Sequence, residues 1–200
     1  MVADLEYPPG ATPLDPDEAA GLIPSHISTQ SQLNEWEQMN IADGRHWGTR
    51  QADRHTPLLT ESFVRQLHQK MFDQTWQWAG TFRNTDKNIG KPWEQVSIAL
   101  RQLLDNTIWQ IEHQVFPAEE IAVRFHHALV LIHPFPNGNG RHARLMADLL
   151  NLQLGQPPLT WGGDNLVDSN RVRDDYLSAL RAADQGNFIP LLAFTRRACH

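Results

Sequence analysis

The run His133-Pro134-Phe135-Pro136-Asn137-Gly138-Asn139-Gly140-Arg141-His142-Ala143-Arg144 opens on a titratable base and sets two Asn-Gly steps and two arginines within the following eleven positions. Amphipathic patterns bound it on both sides. Before it, Ile121, Phe125, Ala128, Leu129 and Ile132 recur at helical spacing and predict a helix over 118–132. After it, Leu145, Met146, Leu149, Leu150 and Leu152 predict a second helix, closed by Gly155. A helix, a tight polar turn and a helix start make a geometry that binds an anion and holds a base beside it.

Each residue type in the run has a physical reason. Gly138-Asn139-Gly140 has little side-chain bulk, so the backbone can approach a ligand and its N–H groups can converge. Those donors fall at a helix N-terminus, where unpaired N–H groups and the helix dipole favour phosphate. Arg141 and Arg144 are three residues apart, so they share a helix face and can both grip phosphate oxygens. His133 ends the preceding helix, and an imidazole suits proton removal from a hydroxyl. Pro134 and Phe135 stop that helix and tie the turn to the core.

Composition bounds the setting. Two hundred residues suit one domain with a sizeable core. The net charge is −6, and Arg196-Arg197 is the longest basic run, which argues against nucleic acid as a partner. Cys199 is the only cysteine, so no intrachain disulfide is expected and a reducing compartment is favoured. No apolar stretch approaches the ~18 residues of a spanning helix. With neither a basic start nor an apolar leader over residues 1–6, the expected location is cytoplasmic, with no membrane partner.

Along the chain, Pro8, Pro9, Gly10, Pro13, Pro16 and Pro24 predict an extended N-terminal arm over residues 1–28. A helical domain is expected over 29–200, with its core at about 60–150. Thr29 and Gln32 fit a capping box that opens a helix to about Ala42. Further helices are predicted over 61–75, 94–113, 170–183 and 188–197. Residues 79–93 hold Gly80, Gly90 and Pro92 and few helix formers in register, which predicts a short hairpin. The fold class is therefore all-α with one small β-hairpin.

The central run resembles the signature of Fic-domain proteins, H-P-F-x-(D/E)-G-N-G-R-x-x-R, and matches it at eleven of twelve positions. Trp78-Ala79-Gly80-Thr81-Phe82-Arg83 is similar to the family's W-A-G-x-x-R segment, and Ile89-Gly90 falls where the family carries a target-binding flap. The chain is most similar to the short members called the mobile mystery protein B type. The resemblance implies a mainly helical fold and a protein adenylyltransferase. Such an enzyme moves AMP from ATP to a Ser, Thr or Tyr hydroxyl of a target protein and releases pyrophosphate. On that pattern His133 is the catalytic base. Asn139 and the backbone of Gly138 and Gly140 hold the α-phosphate, and Arg141 and Arg144 the outer phosphates. A flap over 82–96, with Lys87, Asn88, Ile89 and Gly90 at its tip, would dock the target by strand addition.

One position departs from the pattern. The family's Asp or Glu, which holds Mg²⁺ against the phosphates, is Asn137 here. An amide oxygen is a hard but uncharged ligand, so Asn137 is the expected Mg²⁺ ligand, a weaker one. The same departure leaves two alternatives open: another phosphate-containing donor, or a weakly active nucleotide-binding, toxin-like module controlled by an antitoxin-like partner.

Regulation has two candidate residues. Ser31-Gln32-Leu33-Asn34-Glu35 fits the first five positions of the family's inhibitory motif, with Trp36 in the last. Helical phase, at about 100° per residue, instead puts Glu37 on the apolar face with Leu33, Trp36 and Ile41 and leaves Glu35 outside. Arg83 is the expected partner of an inward Glu37. His126, His127, His133 and His142 lack a carboxylate or cysteine at a familiar zinc spacing. Trp161 and Tyr176 are assigned to packing in preference to an adenine pocket.

Overall fold

The computed structural model describes residues 14–162 and 170–197. Pro8, Pro9, Gly10 and Pro13 of the proline-rich arm, Gly163 and Cys199 lie outside them. The described residues form helices α1 (Pro16–Ala19), α2 (Gln30–Asp53), α3 (Glu61–Phe72), α4 (Val96–Glu112), α5 (Ala118–Ile132), α6 (Asn139–Gln153), α7 (Asn170–Asp184) and α8 (Ile189–Thr195), with a 3₁₀ turn at Trp93–Gln95. The helical class stands as the sequence predicts.

The helix starts follow local chemistry. Thr29 Oγ1 accepts from the Gln32 N–H at 3.3 Å while Gln32 Oε1 accepts from the Thr29 N–H at 3.2 Å, closing the capping box of α2. Thr60 caps α3 through the Phe63 N–H at 3.1 Å. The helix predicted to end near Ala42 runs on to Asp53. Its glycines are contact points and not stops. A Cβ at Gly44 would lie 2.7 Å from Met71 Cγ, and one at Gly48 would lie 2.7 Å from Leu149 Cδ1. Bare backbone there lets α2 lie close against α3 and α6.

The expected hairpin is a correction. No strand forms among residues 79–92, and the isolated bridge between Leu22 and Trp76 lies outside that segment. Backbone groups that would pair across a hairpin are taken by the Arg83 side chain. Its guanidinium donates to the carbonyls of Thr85 at 2.8 Å, Lys91 and, at 2.6 Å, His133. With one buried cation collecting the carbonyls, the segment needs no ladder. It is an irregular flap.

Residues 14–28 lie against the domain. The Ile23 N–H donates to Thr75 O, the Gln77 N–H donates to Gly21 O, and Ile27 joins the core. The core centres on α5 and α6, where Phe125, Leu129, Met146 and Leu150 are almost wholly buried. α5 packs between α4 and α6 and touches α8, while α6 also meets α2 and α3. Phe135, between α5 and α6, is fully buried. Burying such a side chain contributes about 1.5–3 kcal/mol, which fixes the turn on the core. No helix among the described residues is long and apolar enough to cross a membrane.

Candidate active site

The site is the α5–α6 turn. His133 follows the last residue of α5 in the left-handed conformation, φ 56°, with its N–H still bonded to Leu129 O at 3.1 Å. A non-glycine residue held there is strained and needs support from its surroundings. Arg83 supplies it from both sides. Its Nε donates to His133 O, and its own N–H donates to Pro134 O at 3.0 Å. The His133 side chain is buried, and Gly90 of the flap lies over it: a Cβ at Gly90 would sit 2.7 Å from His133 Cβ. Burial pushes the imidazole pKa down to about 4, against a hydrogen bond at the Val130 backbone that favours the charged form. His133 is therefore neutral at pH 7, the state a base requires.

Gly138 caps α6 with φ 76°, and a Cβ there would strike the Phe72 ring at 2.6 Å. The first backbone bond of α6 is His142 N–H to Gly138 O at 2.9 Å. Among the described residues the N–H groups of Asn139, Gly140 and Arg141 carry no hydrogen bond, and no side chain caps the helix. Three donors and the positive end of the helix dipole thus face one spot. Arg144 lies beside it, 3.6 Å from where a Gly140 Cβ would be, with its guanidinium over the Tyr176 ring. Among the described residues Arg144 has no carboxylate within ion-pair distance.

Several expected roles shift. The Asn139 amide is spent on its own turn: Oδ1 accepts from the Phe135 N–H at 2.9 Å, and Nδ2 donates to Phe135 O at 2.7 Å. It braces the turn, and its backbone N–H carries no hydrogen bond among the described residues. The Gly138 N–H is taken by Asn137 Oδ1 at 2.6 Å. That same Oδ1 also accepts from Arg141 Nη2 at 3.4 Å. Asn137, the expected Mg²⁺ ligand, thus presents an uncharged oxygen already turned to two donors, one of them a cation. Among the described residues no group of three His, Cys, Asp or Glu side chains could hold a metal ion. The residues present do not fit a divalent cation at Asn137.

Arg141 is paired. Its Nη1 donates to Glu37 Oε2 at 2.6 Å, and Glu37 Oε1 accepts from Trp76 Nε1–H at 2.8 Å. Glu37 is buried and Glu35 exposed. The partner of Glu37 is Arg141 and not Arg83, because Arg83 is taken up by backbone carbonyls and Asp86.

In the flap, Asn88, Ile89 and Gly90 are exposed, but the Lys87 side chain is only 3 % exposed. Its Nζ lies 2.8 Å from Asp15 Oδ2 and 2.5 Å from Glu18 Oε2, so it anchors the flap to the N-terminal segment. His68, which the sequence reading passed over, joins two motif segments. Its Nδ1 accepts from the Gly80 N–H at 3.0 Å, which leaves the proton on Nε2 to donate to Asn137 O at 3.1 Å. Its ring stacks on Phe135 at 3.7 Å. The available signal was a histidine on the apolar face of α3, beside Val64, Leu67 and Met71. Trp161 donates to Asp148 Oδ1 at 2.7 Å, and Tyr176 pairs with His126 Nε2 at 2.9 Å; both are buried.

Comparison with known proteins gives a consistent result. The model of the Fic/DOC family matches residues 58–150. The protein adenylyltransferase fic-1 of Caenorhabditis briggsae is 32 % identical over 124 residues, covering 60 % of this chain and 23 % of that protein. The protein adenylyltransferase Fic of Nematostella vectensis is 36 % identical over 78 residues, covering 39 % of this chain and 17 % of that protein. This chain therefore spans about a quarter or less of the length of these curated relatives. Among solved structures, a Fic domain containing signaling protein from Bacteroides thetaiotaomicron superposes with a TM-score of 0.66 at 21 % identity, covering 79 % of this chain and 66 % of that one. The BepC effector of Bartonella tribocorum, solved with AMPPNP bound, gives 0.64 at 20 % identity, covering 90 % and 96 %. These two likenesses establish a shared fold.

Proposed function

Because residues 58–150 carry a Fic/DOC family domain, we propose that this chain is a protein adenylyltransferase that moves AMP from ATP to a Ser, Thr or Tyr hydroxyl of a target protein. The observation that carries this reading is one turn holding a neutral base, His133, next to three open N–H groups and Arg144. His133 takes the hydroxyl proton as the target oxygen attacks the α-phosphorus. The bond from that phosphorus to its bridging oxygen breaks, and the electron pair leaves on pyrophosphate. The N–H groups of Asn139, Gly140 and Arg141 stabilise the charge that develops on the phosphate oxygens, and Arg144 holds the leaving pyrophosphate. The target is a segment held under the flap near Gly90. No step is routed through a metal.

The test is incubation of the full chain with α-labelled ATP and a cell lysate, beside His133→Ala. Label on protein that disappears in His133→Ala is the expected result. Label retained in that variant, or none from folded wild type, overturns the reading.

Glu37 favours a second reading, a nucleotide-binding module kept idle until an antitoxin-like partner or a conformational change frees Arg141. Glu37 and an incoming phosphate compete for the same guanidinium. Label that appears only in Glu37→Gln would select this reading.

A further inference from the structure

We infer that this site takes its polyphosphate donor as the metal-free anion, with the protein holding no divalent cation between itself and the phosphates. The inference rests on the nucleotide-site reading above and adds to it the ionic form of the donor.

Asn137 is the residue of the turn placed to hold such a cation, and its oxygens are committed to donors. Its side-chain oxygen accepts from the Gly138 N–H at 2.6 Å and from Arg141 Nη2 at 3.4 Å. Its main-chain oxygen accepts from His68 Nε2–H at 3.1 Å, the tautomer being set by the Gly80 N–H on Nδ1. A metal on the side-chain oxygen must displace one of its two donors, and one on the main-chain oxygen must share it with the buried His68 N–H.

Charge points the same way. Hard divalent cations bind a charged carboxylate oxygen more strongly than an amide oxygen, and Asn137 offers only the amide. A cation on its Oδ1 would stand against the Arg141 guanidinium, which is already within 3.4 Å. Glu37, the carboxylate on that arginine, has one oxygen on Arg141 and the other on Trp76 Nε1–H, both at hydrogen-bond distance. The positive charge that a metal would bring is supplied instead by the helix N-terminus and Arg144. A fully ionised triphosphate suits that cradle better than one already neutralised by a metal.

The test is equilibrium binding of ATP by the full chain, measured calorimetrically in excess EDTA and again in millimolar Mg²⁺, on protein whose Asn137 is shown intact by peptide mass. Wild-type affinity is expected to be equal within about twofold in the two buffers, or tighter in EDTA. Asn137→Asp is expected to weaken ATP binding in EDTA and to gain about tenfold on adding Mg²⁺. A gain of about tenfold or more with Mg²⁺ in the wild type overturns this inference and leaves the proposed function standing. Failure of folded wild type to bind ATP in either buffer overturns the nucleotide site itself, and this inference with it.

Discussion

Gly90 covers His133 so closely that a methyl group at position 90 would lie 2.7 Å from the histidine Cβ and 3.0 Å from the Arg83 guanidinium. Flap and base therefore form one surface. Gly90 also has φ 111°, a conformation that other residues adopt only with strain. Gly90→Ala is expected to cost about 1 kcal/mol or more in a denaturant melt and to lift the flap from His133. Transfer to a protein target should fall about tenfold or more while ATP affinity stays within about twofold, so paired kinetic and binding measurements check it.

The buried histidines set a steep acid limit. Burial lowers the pKa of His126 and His142 to about 3 and of His133 to about 4, and it holds His68 well below its ordinary value. Between pH 6.5 and 4 the unfolded chain binds protons on these four groups that the folded chain refuses, so stability falls as pH falls. Asp148 works in the opposite sense, since burial raises its pKa to about 6 and the folded state binds the extra proton. His126, His133 and His142 against the one carboxyl leave a net of about two protons near pH 5, a slope of about 3 kcal/mol per pH unit, and His68 acts in the same direction. Urea melts at pH 7, 6 and 5 should show stability highest at pH 7 and falling more steeply from pH 6 to 5 than from 7 to 6. Because His133 stays neutral down to about pH 4, the transfer rate should not fall at pH 6 as it would for a histidine of ordinary pKa.

Glu37→Gln keeps an acceptor for the Trp76 N–H and removes the charge that holds Arg141. ATP affinity is expected to rise about tenfold, because the freed guanidinium can turn wholly to phosphate. The same change should cost about 1–3 kcal/mol of stability, as a buried charge-assisted hydrogen bond is lost. Glu35→Gln, at an exposed position of the same helix, should change neither quantity, and calorimetry on both variants distinguishes them.

Lys87 fastens the flap to the N-terminal segment through Asp15 and Glu18, and Thr85 Oγ1 adds a bond to Asp15 at 2.7 Å. Lys87→Met removes the cation and leaves Glu18, largely buried, with the Asp15 N–H but without its counter-charge. The expected cost is on the order of 2 kcal/mol. Amide exchange over residues 83–92 should speed up by about tenfold, while exchange within α5 and α6 stays unchanged. Equal acceleration everywhere would show a global effect and not a fastening.

The local grammar of the site was legible in residue order. Periodicity places α5 and α6, Gly138 marks the cap between them, and the spacing of Arg141 and Arg144 puts both near the cradle. Errors arose where one local signal served two purposes. The helix expected to end near Ala42 runs on through Gly44 and Gly48, which are close contact points between helices, and the glycines and proline of 79–93 read as a hairpin but belong to a flap gathered by one arginine. His68 was missed because its partners, at Gly80 and Asn137, come from segments far apart in the chain.

Residue order by itself determined where the turn between α5 and α6 falls and that helices flank it, since turn conformation and helical phase depend on neighbours within a few residues. Only the tertiary structure decided how those positions are used. The Asn139 side chain braces the turn, Lys87 fastens the flap to the N-terminal segment, and Arg141 is held by a glutamate 104 residues away. The reason is that hydrogen bonds and ion pairs are short-ranged contacts between specific atoms. A side chain's role follows from what folding places within about 3 Å of it, and separation along the chain carries no record of that.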